Sequence, residues 1–313
     1  MAEPQAAPID DLEPTSRGFM TGSGATDLAY ARWDLPEPRG RVVIAHGYGE
    51  HGERYAHTAE WLNREGWSVS SLDHRGFGRS GGVRGDARGI RAPVEDLTLF
   101  LRQERMHDAD GRGAPGGARP GLPQILLGHS FGGLVALLVL LWHPDTLDAL
   151  IVTSPALQLR PLSLPLKLLQ QVLYRVAPHH PLDVPGDKSR VCSDPVLVQR
   201  YREDPLCHRF ISAAFLEAMR EGRRELMAMG GELDRPILLL EADQDEVVDP
   251  DGAEPLWAAI RPGLLQRHRL EGFFHEILHD RGRPEAERLA AQWLDGLFPI
   301  GGVAPAPQSA MLE

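Results

Sequence analysis

Residues 124–142 read QILLGHSFGGLVALLVLLW. The run 124–128 is apolar and ends in glycine, which predicts a buried strand. The apolar residues from about 132 to 142 predict a helix. Between them lies G-x-S-x-G, from Gly128 to Gly132, with Ser130 at its centre. A strand that turns at a serine and re-enters as a helix pushes the serine side chain out of the sheet on a strained turn. Gly128, Gly132 and Gly133 permit close backbone packing that a Cβ would block.

A serine at its ordinary pKa is a weak nucleophile. It needs an adjacent base, and the base needs an orienting carboxylate. Both types follow Ser130 in the chain. ILLLEADQDEVVDP (237–250) places Asp243, Asp245 and Asp249 just past a predicted strand. Asp243 is closest to the strand end, and Asp249 precedes Pro250, where it suits a helix cap. LEGFFHEILHD (270–280) places His275 just past the last predicted strand, with His279 four residues on as its competitor. Carboxyl ends of strands are where open α/β sheets bind ligands. An oxyanion needs two backbone N–H donors. One falls to Phe131, directly after the serine. The other falls to Tyr48, in HGYGEHGERY (46–55) beyond the 41–45 strand.

The remaining pattern supplies the scaffold. Further strands are read at 41–47, 67–73, 147–156, 235–242 and 264–272, and helices at 53–65, 93–106 and 284–297. Strands alternating with helices imply an α/β fold, a mostly parallel central sheet flanked by helices. Residues 157–231 break the rhythm with helices joined by proline-rich links, which reads as a helical cap insertion. Within it Leu166, Leu169, Leu173 and Val176 share one helix face, widened by Leu168 and Val172. That face either packs on the main domain, lines an acyl-chain tunnel or touches a lipid surface. The expected organisation is a disordered leader (1–16), a core (17–156 and 232–298), the cap (157–231) and a mobile tail (299–313). The Gly- and Pro-rich stretch 107–121 reads as a flexible surface loop.

Composition excludes several classes. The chain has 313 residues and a net charge of -11 without a basic stripe, so nucleic acid is not an expected partner. Its two cysteines, Cys192 and Cys207, rule out a disulfide framework and are read as free thiols. His46, His51 and His57 lack zinc-motif spacing, His179 and His180 lack a partner at ligand spacing, and H-E-x-x-H does not occur. His129, beside the serine, is read as packed or hydrogen-bonded. No metal and no cofactor is expected. The N-terminal MAEPQAAPIDDLEP has neither a basic region nor an apolar core, so it does not read as a signal peptide. The longest apolar run, 131–142, is too short to span a bilayer, which needs about 20 residues. A cytoplasmic protein is expected, with peripheral membrane contact through the cap.

HGYGEHGERY (46–55), DHRGFGRSGG (73–82), GHSFGG (128–133), SPA (154–156), EADQDEVVDP (241–250) and EGFFHEILHD (271–280) together resemble the monoacylglycerol lipase and lysophospholipase group of α/β-hydrolases, the serine aminopeptidase S33 type. The resemblance spans roughly residues 17 to 298. It implies an α/β-hydrolase fold and a triad of Ser130 as nucleophile, His275 as base and Asp245 as the orienting acid. It matches Tyr48 and Phe131 to the oxyanion positions and Glu50 and Arg54 to a loop that holds the glycerol end of the substrate. The family's second histidine lies three residues after the catalytic one; its counterpart His279 lies four after His275. The implied activity is hydrolysis of single-chain lipid esters through an acyl-enzyme. A general carboxylesterase, thioesterase or peptidase would use the same machinery, and a non-catalytic hydrolase-fold receptor would retain only the fold.

Overall fold

The structure is a computed structural model that describes residues 12–109, 121–161, 163–183 and 191–299. The chain opens with two strands that the periodicity did not reveal, β1 (Ser16–Thr21) and β2 (Asp27–Trp33), paired antiparallel. Then follow β3 (Gly40–Ala45), α1 (Ala56–Arg64), β4 (Trp67–Leu72), α2 (Arg91–Ala109), β5 (Gln124–His129), α3 (Phe131–Trp142) and β6 (Ala149–Thr153). The segment after β6 holds α4 (Leu164–Val176), β7 (Leu182–Asp183), α5 (Pro195–Glu203), β8 (Phe210–Ile211) and α6 (Ala213–Met229). The chain returns to the sheet with β9 (Ile237–Ala242), α7 (Glu254–Ala259), β10 (Leu265–Leu270) and α8 (Arg283–Leu297).

The main sheet has eight strands in the order β1-β2-β4-β3-β5-β6-β9-β10. Neighbours from β4 to β10 in that order are parallel, and β1 with β2 and β2 with β4 pair antiparallel at one edge. β3, β4, β5, β6 and β9 are buried along their whole length, as a sheet covered on both faces requires. One layer of core joins the sheet to α2, α3 and α6 through Val43, Leu126, Leu134 and Leu138. The other joins it to α1 and α8 through Ile44, Leu62, Leu127 and Trp293. α3 is buried from Phe131 to Leu140, which explains why it is apolar all round rather than amphipathic.

Residues 1–11 of the expected leader lie outside the described residues. From Leu12 onward the chain is attached: Trp33 Nε1 donates to the Leu12 carbonyl at 2.7 Å, and Ser16 already belongs to β1. Most of the expected 107–121 loop and all but the first residue of the expected tail also lie outside them.

The apolar face of α4 does not pack on the main domain. Leu164, Leu168, Val172 and Val176 are exposed, and the one buried side chain of that helix is the polar Gln170. Its amide oxygen accepts from Arg220 on α6 at 2.7 Å, so polar bonding faces inward and leucines face outward. Among the described residues no helix is long and apolar enough to cross a membrane.

Candidate active site

Ser130 caps the N-terminus of α3 with φ of 50° and ψ of -114°. This is a left-handed conformation that non-glycine residues adopt only under constraint. The constraint is visible. Ser130 N–H donates to the Thr153 carbonyl at 3.0 Å, and its own carbonyl accepts from Leu134 and Ala156 at 3.1 and 2.9 Å. The glycines let the elbow close on its neighbours. A Cβ on Gly128 would stand 2.6 Å from the Gly132 carbonyl oxygen, and one on Gly132 would overlap the Ala45 backbone.

The Ser130 hydroxyl lies 2.9 Å from His275 Nε2, and His275 Nδ1 lies 2.7 Å from Asp245 Oδ2. All three side chains are buried. With Asp245 ionised, Nδ1 carries the proton and Nε2 accepts from the serine, which is the arrangement that proton transfer from Ser130 requires. Burial opposes ionisation of Asp245. The charge and hydrogen bond of His275, together with the N–H groups of Val248 and Val247, both donating at 2.8 Å to Oδ1, outweigh it and hold the carboxyl below its ordinary range.

The other acids have different work. Asp243 Oδ1 accepts from Gly272 N–H at 2.7 Å and pins the turn after β10. Asp249 accepts from Asp251 N–H and caps the turn 250–253. His129 is buried beside His275, ring centres 5.0 Å apart, with Nδ1 on the Thr153 hydroxyl. Burial and the His275 charge push its pKa down to about 4. It therefore stays neutral beside the His275 imidazole at neutral pH.

Phe131 is the first residue of α3, so its N–H belongs to the helix turn that has no acceptor inside the helix. Tyr48 follows Gly47, whose added Cβ would stand 3.4 Å from the Ser130 Cβ. The loop after β3 thus packs directly on the elbow. The Phe131, Phe77 and Phe215 side chains are fully buried, and the Phe131 and Phe215 rings lie 4.7 Å apart. Tyr48 joins this cluster and donates its hydroxyl to the Phe210 carbonyl at 2.9 Å. These contacts tie the loop after β3 to Phe210 and Phe215.

Glu50 and Arg54 are brought together, but on each other. Glu50 Oε1 accepts from Gly47 N–H at 2.6 Å and from the Tyr55 hydroxyl at 2.8 Å, while Oε2 pairs with Arg54. Arg54 also pairs with Glu276 at 2.9 Å and lies under the Tyr201 ring of the cap. Burial disfavours the Arg54 charge, yet Glu276 and Glu50 raise its pKa further above its already high value. Glu276 lies next to the catalytic candidate in sequence, and no motif flagged it. Its backbone N–H reaches the cap at the Val191 carbonyl, 2.7 Å away. His279 is buried below this network. Its Nε2 donates to the Arg54 carbonyl at 3.2 Å, and its ring packs on Tyr55 and His57, away from hydrogen-bonding contact with Ser130.

Cys192 and Cys207 are free. Among the described residues one group, His51, Asp204 and Cys207, could share a cation, its donor atoms lying within 4.8 Å of one another. His51 Nε2 and Asp204 already bond each other at 2.7 Å, a clasp between the core and the end of α5.

Residues 36–282 match the family described as "Serine aminopeptidase, S33". The chain is 30% identical over 268 residues to a monoacylglycerol lipase of Mycolicibacterium smegmatis, covering 85% of this chain and 91% of the relative. It is 31% identical over 286 residues to the human monoglyceride lipase, covering 88% and 86%. The crystal structure of the Paleococcus ferrophilus monoacylglycerol lipase superposes with a TM-score of 0.73 at 28% identity, covering 85% of this chain and 98% of that one. With a matching family span, an eight-stranded α/β sheet and a strained serine elbow, the chain belongs to the serine aminopeptidase S33 family of α/β-hydrolases.

Proposed function

We propose that this chain is a serine carboxylester hydrolase that cleaves single-chain lipid esters, monoacylglycerols foremost. The observation that carries the reading is the unbroken line Asp245–His275–Ser130, at 2.7 and 2.9 Å, ending on a serine held at positive φ. Ser130 Oγ attacks the ester carbonyl carbon as its proton passes to His275 Nε2. The carbonyl oxygen takes the negative charge and is held by the N–H groups of Phe131 and Tyr48. The tetrahedral intermediate collapses, the ester C–O bond breaks, and His275 returns the proton to the leaving alcohol. A water then attacks the acyl-enzyme through the same base, and the fatty acid leaves. Asp245 keeps the imidazole in register and stabilises its cation throughout.

The substrate class rests on what surrounds the line. The relatives named above are monoacylglycerol and monoglyceride lipases. The apolar rings of Phe77, Phe131 and Phe215 suit an acyl chain. Glu50 and Arg54 serve the alcohol end by fixing the Gly47–Tyr48 loop, and His279 supports Arg54 from below. The outward leucines of α4 suit transient contact with a lipid surface. Residues 157–231 act as the cap, seated on the core by Tyr201 hydroxyl to Gly49 carbonyl (3.1 Å) and Ser212 hydroxyl to Asp86 carboxylate (2.7 Å).

The test is a hydrolysis panel at equal acyl chain: monoacylglycerol, lysophosphatidylcholine, an acyl thioester and p-nitrophenyl esters of increasing length. The reading expects the glycerol ester to have the highest kcat/KM among the lipids and long p-nitrophenyl esters to exceed short ones. Orders-of-magnitude preference for short chains would contradict it.

A further inference from the structure

One cluster of metal-binding side chains lies apart from the triad. His51, Asp204 and Cys207 bring an imidazole nitrogen, a carboxylate oxygen and a thiol within 4.8 Å of one another. No local spacing announces it, because 153 residues separate His51 from Asp204. Asp204 and Cys207 close a single turn at the end of α5. Cys207 N–H donates to the Asp204 carbonyl at 3.1 Å, and Leu206 N–H donates to Asp204 Oδ1 at 2.8 Å. That turn is fixed to the loop after β3: His208 N–H and the Tyr201 hydroxyl both donate to the Gly49 carbonyl, at 3.0 and 3.1 Å. Backbone bonds thus hold the donors near one another. His51 is buried, and its Nδ1 has no hydrogen-bond partner among the described residues. Its Nε2 lies 2.7 Å from Asp204 Oδ2. A cavity of about 250 Å³ reaches His51 and Asp204, and none of Ser130, His275 and Asp245 lines it.

Thiolate, imidazole and carboxylate together suit zinc, a borderline-soft ion that takes four ligands in a tetrahedron. An ion bound at about 2.0–2.3 Å holds its donors roughly 3.3–3.6 Å apart. The His51–Asp204 contact must then open by about 0.6 Å, and no pair has to close by more than about 1.2 Å. Charge favours it as well. Arg54, whose charge acts on Cys207, is outnumbered by the two carboxylates it pairs with, Glu50 and Glu276. We propose that His51, Asp204 and Cys207 form a zinc site, completed by water, that pins the turn 204–207 to the loop after β3. On binding, the Sγ–H bond is exchanged for Sγ–Zn and the proton leaves to solvent. Zn²⁺ with one thiolate and one carboxylate is then neutral, so the half-buried site gains no net charge. The pinned loop is the one that packs on Ser130 through Gly47. The proposal does not rest on the ester-hydrolase reading, and its measurement needs no turnover.

The experiment titrates Co²⁺ and then Zn²⁺ into the full chain carrying Cys192→Ala, where Cys207 is the one remaining cysteine. Cobalt reports the site, because a thiolate ligand adds a charge-transfer band in the near ultraviolet and a tetrahedral ion absorbs strongly in the visible. One equivalent of cobalt should give both bands, and one equivalent of zinc should abolish them. Adding Cys207→Ser should remove the thiolate band. In the same background, Cys207→Ser and His51→Gln should each weaken zinc binding, read against a competing zinc indicator. The loss should exceed the roughly 10–100-fold that removal of a supporting partner costs. Zinc should raise the thermal midpoint of the Cys192→Ala chain and leave that of the Cys207→Ser variant unmoved. Cys207→Ser exchanges sulfur for oxygen at one atom, so it keeps the test valid should His51→Gln fail to fold. A missing thiolate band at one equivalent of cobalt would overturn the proposal. So would a Cys207→Ser variant that keeps zinc affinity within threefold, or visible bands without the thiolate band, which would place the ion on other histidines.

Discussion

Arg160, on the segment leaving β6 for the cap, grips the backbone of Asp245 through Nε and Nη2 at 3.1 and 2.8 Å. The Asp245 carboxylate meanwhile accepts from His275 at 2.7 Å. The segment after β6 therefore helps hold the loop whose carboxylate bonds His275. Hydrogen bonds from a charged donor contribute roughly 1.5–3 kcal/mol each. Arg160→Ala should lower kcat about tenfold with little change in KM on a soluble ester, and Arg160→Lys should recover part of the loss. A change confined to KM would place Arg160 at the substrate instead.

Arg54 lies between two carboxylates, Glu50 and Glu276, all three buried. Removing the cation leaves two buried negative charges facing each other. Breaking one member of such a buried network typically costs about 3–5 kcal/mol. Arg54→Ala should lose stability on that scale in urea titration. It should also lose activity per folded molecule, because Glu50 holds the Gly47 N–H in the loop that packs on Ser130. A loss below about 1 kcal/mol would show that the network relaxes around the gap.

Burial pushes five described histidines down: His46 to about 3, His57 and His129 to about 4, and His74 and His279 well below the ordinary value. In the unfolded chain each titrates near 6.5. Between pH 6.5 and 4 the unfolded chain binds protons that the folded chain refuses, so stability falls as pH falls through that window and is full above it. Each contribution is of the order of 3 kcal/mol for a fully buried ring. The urea midpoint should therefore drop steeply from pH 7 toward pH 4, and His57→Gln should flatten the drop. A midpoint constant over that range would contradict the neutral assignment.

The parallel strands of the main sheet were legible, and its antiparallel edge, β1 and β2, was not. The predicted strands at 67–73, 147–156, 235–242 and 264–272 contain β4, β6, β9 and β10, and those at 41–47 and 124–128 each miss one end residue of β3 and β5. β1 escaped because it alternates half-buried with exposed residues at a sheet edge, so SRGFMT offers no apolar run. α7 is only six residues long and gives too short a period to read. At the site, chain order pointed to an acid after β9 and a histidine after β10, but Asp243 and Asp245 are two residues apart. Only the fold shows that Gly272 occupies the first and His275 the second. Glu276 and Tyr201 were not legible as partners of Arg54, since 222 and 147 residues separate them from it and no local pattern spans that distance. The α4 face was legible as amphipathic, but its direction was not, because the buried side is held by the Gln170–Arg220 bond.

The central claim is that Ser130 is the nucleophile activated by His275. Its most direct test is kcat of purified, folded Ser130→Ala on a soluble p-nitrophenyl ester. Removing the nucleophile of such a triad costs roughly 10⁶ in kcat. The account predicts a loss of that order with the fold retained. Activity within tenfold of the native enzyme would contradict it.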